Sequence, residues 1–135
     1  MTKLETIHPE GWAPAKGYAN GVLVPAGWRT LHVAGQIAWD ADQNLVGQGD
    51  FAAQFAQALA NVVAVVRAAG GDAQNIARMT VYVTDKQLYL GCLKQIGAAW
   101  REHCGKHYPA MALVQVADLL EEGAMVEIEA TAAVE

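Results

Sequence analysis

Hydrophobic positions recur along the chain at two spacings, one typical of helices and one typical of strands. A stripe at helical spacing predicts a helix over residues 51–69, with Asp50 as its N-cap and Gly70-Gly71 as its stop. A second stripe predicts a helix over residues 86–104, capped by Asp85. The predicted buried residues are Phe51, Phe55, Leu59, Val62, Val63 and Val66 in the first helix and Tyr89, Leu93, Ile96 and Trp100 in the second.

Strands are predicted where apolar and polar residues alternate. Residues 79–84 and 125–132 alternate in this way, so each segment is expected to bury one face. Residues 21–24 and 28–36 lie on either side of a Pro-Ala-Gly turn, and we predict that they pair as a β-hairpin.

A further strand is predicted over residues 110–116, directly after a proline. Its two faces are both apolar, because Met111 and Leu113 alternate with Ala112 and Val114 along the strand. We therefore expect both faces of this strand to be buried against other parts of the protein.

The order of elements, ββαβαββ, predicts one α+β domain over residues 1–135, a two-layer sandwich in which two helices pack on one face of a sheet. We assign Met111, Leu113, Glu127 and Glu129 to the other face. No further element of the chain is predicted to cover that face, so we expect neighbouring subunits to do so.

Composition supports an oligomer and argues against several partners. Hydrophobic residues make up 53% of the 135 residues and charged residues only 17%, which leaves a small monomer short of polar surface. The net charge of −5 disfavours a nucleic-acid partner. No apolar run approaches the roughly 20 residues of a membrane span, and the first residues lack a signal peptide's apolar region. We therefore expect a cytoplasmic protein without a membrane partner, whose two cysteines are reduced.

Six segments resemble, in the same order, the RidA/YjgF family of imine and enamine deaminases, and together they cover nearly the whole chain. The resemblance implies a chorismate-mutase-like fold with one mixed sheet, a homotrimer, and a small-molecule cleft between each pair of subunits. We predict no cofactor. The segments are Gly-Tyr-Ala-Asn at 17–20, Val-Ala-Gly-Gln-Ile at 33–37, residues 57–63 with 68–71 in and just after the first helix, Thr-Val-Tyr-Val-Thr-Asp at 80–85, Tyr-Pro-Ala-x-x-x-Val-Gln-Val at 108–116, and Val-Glu-Ile-Glu-Ala at 126–130.

The chain departs from the family at the positions that bind substrate. Well-studied relatives carry an arginine after Pro-Ala, where this chain has Met111, and it grips the carboxylate of a 2-imino acid. Their common cysteine is Leu113 here, a frequent serine is Ala34, and an asparagine from the second helix is Leu93. Tyr18, the backbone at Gly35, and Glu127 remain.

The resemblance and the departures together predict a modified cleft. We expect Glu127 to act as the catalytic base, with a structural carboxylate as the alternative. The predicted substrate-binding residues are Tyr18, Ala34, Gly35, Trp39, Met111 and Leu113.

Loss of the arginine predicts a specificity shifted away from 2-imino acids, toward an uncharged or hydrophobic substrate. A non-catalytic module that binds a small molecule or a protein in the same cleft is the alternative. An endoribonuclease or translation inhibitor is the least favoured function, because of the acidic charge.

Other polar residues have plainer interpretations. His32 shares a strand face with Ala34 and is either a replacement polar group or an interface histidine. We expect Glu129 to form a structural hydrogen bond at an interface. His103, Cys104 and His107 form His-Cys-x-x-His, but a structural zinc site needs a second pair of ligands, so no metal is predicted.

Overall fold

The elements of the fold follow most of the predicted patterns. The computed structural model describes residues 3–135. Within them, the strands are β1 (Glu5–Ile7), β2 (Gly21–Leu23), β3 (Arg29–Gln36), β4 (Ile76–Val83), β5 (Ala110–Gln115) and β6 (Val126–Val134), and the helices are α1 (Phe51–Ala68), α2 (Lys86–Leu90) and α3 (Leu93–Cys104), with a 3-10 turn at Ala73–Asn75.

The main sheet has four strands in the order β3-β6-β4-β5. β4 and β5 are parallel, whereas β6 is antiparallel to both β3 and β4. The sheet is therefore mixed, and the predicted α+β fold is confirmed. β1 and β2 form a separate antiparallel pair.

The predicted hairpin between residues 21–24 and 28–36 is wrong. The turn exists, since the Trp28 N–H donates to the Pro25 carbonyl at 3.4 Å. However, β2 pairs with β1, and β3 leaves the turn to pair with β6. Pairing with β6 buries the apolar side chain of Val33 in the core, which a two-stranded hairpin cannot offer.

Helix α1 forms as its stripe predicts, and all six predicted residues are buried. Asp50 caps it by accepting a hydrogen bond from the Ala53 N–H at 3.1 Å. By length and composition α1 could also cross a membrane. Its buried residues pack into the core beside the sheet, as a core helix of a globular domain does.

The predicted second helix is two helices. α2 ends at Leu90 and α3 begins at Leu93, so the break falls at Gly91 and Cys92, where glycine disfavours the helix. The break changes the buried stripe: Ile96 and Trp100 are buried as predicted, but Leu93 is 51% exposed.

The two long helices lie on the same face of the sheet, and their buried residues form one core with the inward residues of β3, β4 and β6. The opposite face, here called the open face, carries the alternate residues of the strands. Within residues 3–135 no helix packs on it. Its members include His32 on β3, Arg78, Thr80 and Tyr82 on β4, Ala112 and Val114 on β5, and Glu127, Glu129 and Thr131 on β6.

A buried glutamine fixes the start of β6. Gln54 on α1 is fully buried, and its amide nitrogen donates to the carbonyls of Gly47 at 3.2 Å and Gly123 at 3.0 Å. Its amide oxygen accepts from the Met125 N–H at 2.9 Å. These three bonds hold the loop before β6 against the helix, so they set where β6 enters the sheet.

We predict that Gln54→Leu lowers the free energy of unfolding by about 3 kcal/mol, because it leaves buried backbone groups without partners. Urea denaturation measures this. Gln95→Leu is the matched control, since Gln95 is an exposed glutamine on α3. Equal effects of the two substitutions would contradict the role assigned to Gln54.

The two cysteines are free thiols. Burial raises the pKa of the Cys104 thiol to about 12. Because only the thiolate reacts, and about one Cys104 in ten thousand is ionised at pH 8, we predict that a thiol reagent leaves Cys104 unmodified in the folded protein. Mass spectrometry after labelling, with and without urea, tests this. Rapid labelling of Cys104 without urea would contradict it.

Candidate active site

Glu127 lies on the open face, near the start of β6. It is half-buried, and its cross-strand partner on β4 is Tyr82. Neither of the two ion pairs found among residues 3–135 involves Glu127. A carboxylate on an uncovered sheet face, without a cationic partner among the described residues, is available to accept a proton or a hydrogen bond.

A β-bulge brings Gly35 against this carboxylate. The pairing of β3 with β6 runs from Val33 opposite Ala130 to Gln36 opposite Ile128, so β3 has an extra residue at this point. A Cβ atom built on Gly35 would overlap the Oε2 atom of Glu127 and lie 2.8 Å from its Cδ. Only glycine leaves room for the carboxylate there.

The chain after the bulge is held by α1. Asn61 donates to the carbonyls of Ile37 at 3.1 Å and Trp39 at 2.8 Å. The half-buried Trp39 indole donates to Gln36 at 3.4 Å. A hydrogen bond from the Asn44 backbone N–H lowers the pKa of the Asp40 carboxyl in the same loop.

Ala34 is exposed, and its carbonyl accepts from the Gln36 side chain at 3.2 Å. Ala34 and Trp39 therefore flank the bulge. A contact of either residue with Glu127 stays a prediction.

Tyr18 lies at the other edge of the sheet. Residues 17–20 run beside β5, where Ala19 forms a parallel bridge with Ala110 and its N–H donates to the Pro109 carbonyl at 2.9 Å. The Tyr18 side chain is 42% exposed. It lines a cavity of about 230 Å³ against β5 and a larger one of about 650 Å³ formed with the N-terminal segment.

Met111 and Leu113 do not share the open face with Glu127, so this part of the prediction is wrong. Met111 pairs with Met79 and Leu113 with Val81, and both partners are buried beneath the helices. Parallel register places paired side chains on the same face, and Met111 and Leu113 pack against the core. The pattern could not choose between the faces, because both faces of β5 are apolar.

Two residues on the polar face of β4 were missed by sequence reasoning: Tyr82, opposite Glu127, and Arg78. The predicted strand began at residue 79, whereas β4 begins at Ile76. Extending the alternation of Thr80 and Tyr82 backwards by one step places Arg78 on the same face, which is the signal that could have found it. Arg78 lines the 230 Å³ cavity together with Tyr18 and Met111.

His32 and Glu129 lie on the open face next to Arg78. Both line a cavity of about 210 Å³, together with Arg78, Thr80 and Thr131. They are exposed, and Glu129 takes part in neither of the ion pairs formed within residues 3–135. An interface role for either residue stays a prediction.

The His-Cys-x-x-His segment has a structural role at His107. Its ring Nε2 lies 2.8 Å from the Ile76 carbonyl and donates to it, and its own carbonyl accepts from the Trp100 indole at 3.0 Å. In the part of the chain from residue 3 onward, no group of three or more His, Cys, Asp and Glu side chains could hold a metal ion.

The fold and the open face define a class of protein: an α+β domain whose mixed sheet presents a carboxylate over a strand bulge. A family model described as Endoribonuclease L-PSP matches residues 10–134. The chain is 32% identical over 115 residues to human 2-iminobutanoate/2-iminopropanoate deaminase. This match covers 85% of this chain and 78% of that protein.

Solved structures of other proteins are also similar to this chain. The Rid family protein YyfB from Yersinia pestis has a TM-score of 0.84 and 36% identity, covering 98% of this chain and 100% of that one. Escherichia coli TdcF with bound serine has a TM-score of 0.68 and 30% identity, covering 97% and 99%. The chain belongs to the RidA/YjgF family, as its motifs predicted.

We predict that Gly35→Ala displaces the Glu127 carboxylate without unfolding the protein. The backbone of Gly35 is outside the left-handed region, so alanine conflicts only with Glu127 and not with the local conformation. The chemical shift of Glu127 should change while the melting temperature falls by only a few degrees. Gly49→Ala is the comparison variant. Gly49 has a left-handed φ and open space around it, so alanine there strains the backbone without touching Glu127. An unchanged Glu127 signal would contradict the predicted displacement.

Proposed function

We propose that the protein is an imine or enamine hydrolase that binds a small molecule in a cleft between the subunits of a homotrimer, with Glu127 as the general base. The observation that carries this proposal is the Glu127 carboxylate above Gly35, on a sheet face that residues 3–135 leave uncovered. The deaminase activity of the human relative supports the reaction class.

The chemistry requires a group that takes a proton from water. Glu127 accepts that proton while the water oxygen bonds to the carbon of the C=N group, and the protonated Glu127 then gives the proton to the nitrogen, which regenerates the carboxylate. The resulting amino alcohol then expels ammonia as its hydroxyl becomes a carbonyl. The overall change is imine plus water to ketone plus ammonia. Tyr82, opposite Glu127, offers a phenol to orient the water.

The position of Met111 favours a site made by two chains. Met111 and Leu113 lie on the helix side of edge strand β5, whereas Glu127 lies on the open side. One chain cannot direct all three side chains into a single cleft. A second subunit against the open face would bring its own surface to Glu127 and also cover Ala112 and Val114.

We propose that the substrate specificity of this protein differs from that of its well-studied relatives. Those relatives hold a carboxylate with an arginine after Pro-Ala, whereas Met111 makes only apolar contacts. The expectation of an uncharged substrate assumed that no other cation reaches the site. Arg78 lines a cavity with Tyr18 and Met111, so a second cation does lie near these residues. We therefore propose a shift in specificity but do not require the ligand to be uncharged.

A non-catalytic small-molecule-binding module is the second candidate, favoured by the apolar residues at 34, 111 and 113. Turnover separates the two functions. RNA cleavage stays disfavoured by the net charge of −5. The trimer, the lack of a cofactor and the cytoplasmic location stay predictions.

We predict that the protein accelerates ammonia release from imines generated in solution and that Glu127→Gln lowers the rate by about 100-fold or more, because the amide cannot accept the proton. Coupled detection of ammonia measures this. Glu122→Gln is the matched control, since Glu122 is exposed and lies in the loop before β6. Equal rates for wild type and Glu127→Gln would end the proposal.

A further inference from the structure

A cavity away from Glu127 lies between the segment that follows β1 and the turn that precedes β5. Its volume is about 650 Å³, which is within the range of small-molecule sites in proteins. Three aromatic rings line it: Trp12, Tyr18 and Tyr108. Of these, only Tyr18 is among the residues predicted to bind substrate, and Glu127 does not line the cavity. The cavity is therefore distinct from the proposed catalytic site.

The Trp12 wall of this cavity is held in place by hydrogen bonds. The Trp12 N–H donates to the Pro9 carbonyl at 3.3 Å and closes a turn. The His8 Nε2 donates to the Trp12 carbonyl at 3.2 Å, while the His8 Nδ1 accepts from the Asn20 amide at 3.1 Å. These bonds fix the backbone at Trp12, yet its side chain is 61% exposed. A large apolar ring is thus presented to solvent from a hydrogen-bonded turn.

The Tyr108 wall is backed by the core. The Tyr108 ring stacks on Trp100, with 5.7 Å between the ring centroids and 4° between the ring planes. Trp100 is buried, and its indole donates to the His107 carbonyl at 3.0 Å. Tyr108 is therefore held in one orientation, and a ligand that contacts it does not lose free energy in ordering it.

Charge selects the kind of ligand that fits this cavity. Among the described residues that line it, Lys106 is the cationic side chain, and none is an Asp or Glu. Lys106 takes part in neither of the ion pairs formed within residues 3–135. Aromatic rings can also hold a cation against their faces, but the Lys106 ammonium would repel it. The cavity therefore favours a negative charge.

We propose that this cavity binds a planar aromatic anion, with its ring against Trp12 and Tyr108 and its negative charge near Lys106. The inference goes beyond the proposed function, because it needs neither Glu127 nor hydrolysis. Aromatic rings attract one another in offset-stacked or edge-to-face contacts. An anion without a ring would gain only an exposed ion pair, which contributes little. The ligand therefore needs both the ring and the charge.

The rival role for Trp12 is a contact with another subunit, which would bury its exposed ring. The two roles differ in what a substitution changes. Loss of a ligand site weakens binding and leaves the assembly intact, whereas loss of a subunit contact lowers the mass of the assembly.

The test titrates naphthalene-2-sulfonate into the protein by isothermal titration calorimetry and follows the Trp12 indole N–H by NMR. We expect one binding event per chain, a change in the Trp12 indole signal, and weaker binding as salt increases. Naphthalene-2-sulfonamide has the ring without the charge and should bind about threefold to fivefold more weakly. Methanesulfonate has the charge without the ring and should give no measurable binding.

Two pairs of variants locate the ligand. Trp12→Leu keeps apolar bulk but removes the ring, so it should weaken sulfonate binding by about tenfold, and Trp12→Phe should recover most of the loss. Lys106→Gln should bind the sulfonate about threefold to fivefold more weakly than wild type does. Lys94→Gln is its matched control, since Lys94 is an exposed lysine on α3, and it should leave binding unchanged.

Several results would overturn the inference: no binding of the sulfonate by wild type, equal binding of the sulfonamide or of methanesulfonate, equal binding by Trp12→Leu, or a smaller assembly for Trp12→Leu by light scattering. Glu127→Gln separates this inference from the proposed function, since that variant should still bind the sulfonate. Sulfonate binding without ammonia release from imines would end the hydrolase proposal and leave this site standing. Ammonia release without sulfonate binding would do the reverse.

Discussion

Both long helices pack on one face of a four-stranded sheet, and the other face has no cover within residues 3–135. This imbalance is the constraint on which the rest of the account depends. A sheet face with Ala112 and Val114 beside Arg78 and Glu127 combines apolar surface with uncompensated charge. Exposure of the apolar part of this face to water is unfavourable, and we propose that a second copy of the chain covers it.

The same constraint makes the proposed site depend on a neighbouring subunit as well as on its own chain. Glu127 owes its position to two features of its own chain: the bulge that places Gly35 beneath it and the buried Gln54 that fixes the entry to β6. The remaining wall is proposed to come from a neighbour. Catalytic geometry and oligomeric state are therefore linked, and a defect in either should appear in the other.

Local patterns predicted the elements whose environment is set by near neighbours. The α1 stripe, the Asp50 cap and the alternation of β6 were predicted correctly, because each depends on residues within a few positions. The pairing of β2 and the face occupied by Met111 depend on distant partners, and sequence spacing carries no information about them. Arg78 was missed because the strand boundary was placed three residues late, where boundaries are least certain.

The mass of the native protein in solution tests the central claim most directly. Static light scattering after size-exclusion chromatography measures it without reference to any ligand or activity. We expect three times the chain mass of 14.4 kDa, maintained on dilution into the micromolar range. A species of one chain mass, with its open sheet face in water, would contradict the shared cleft and every functional role assigned to it here.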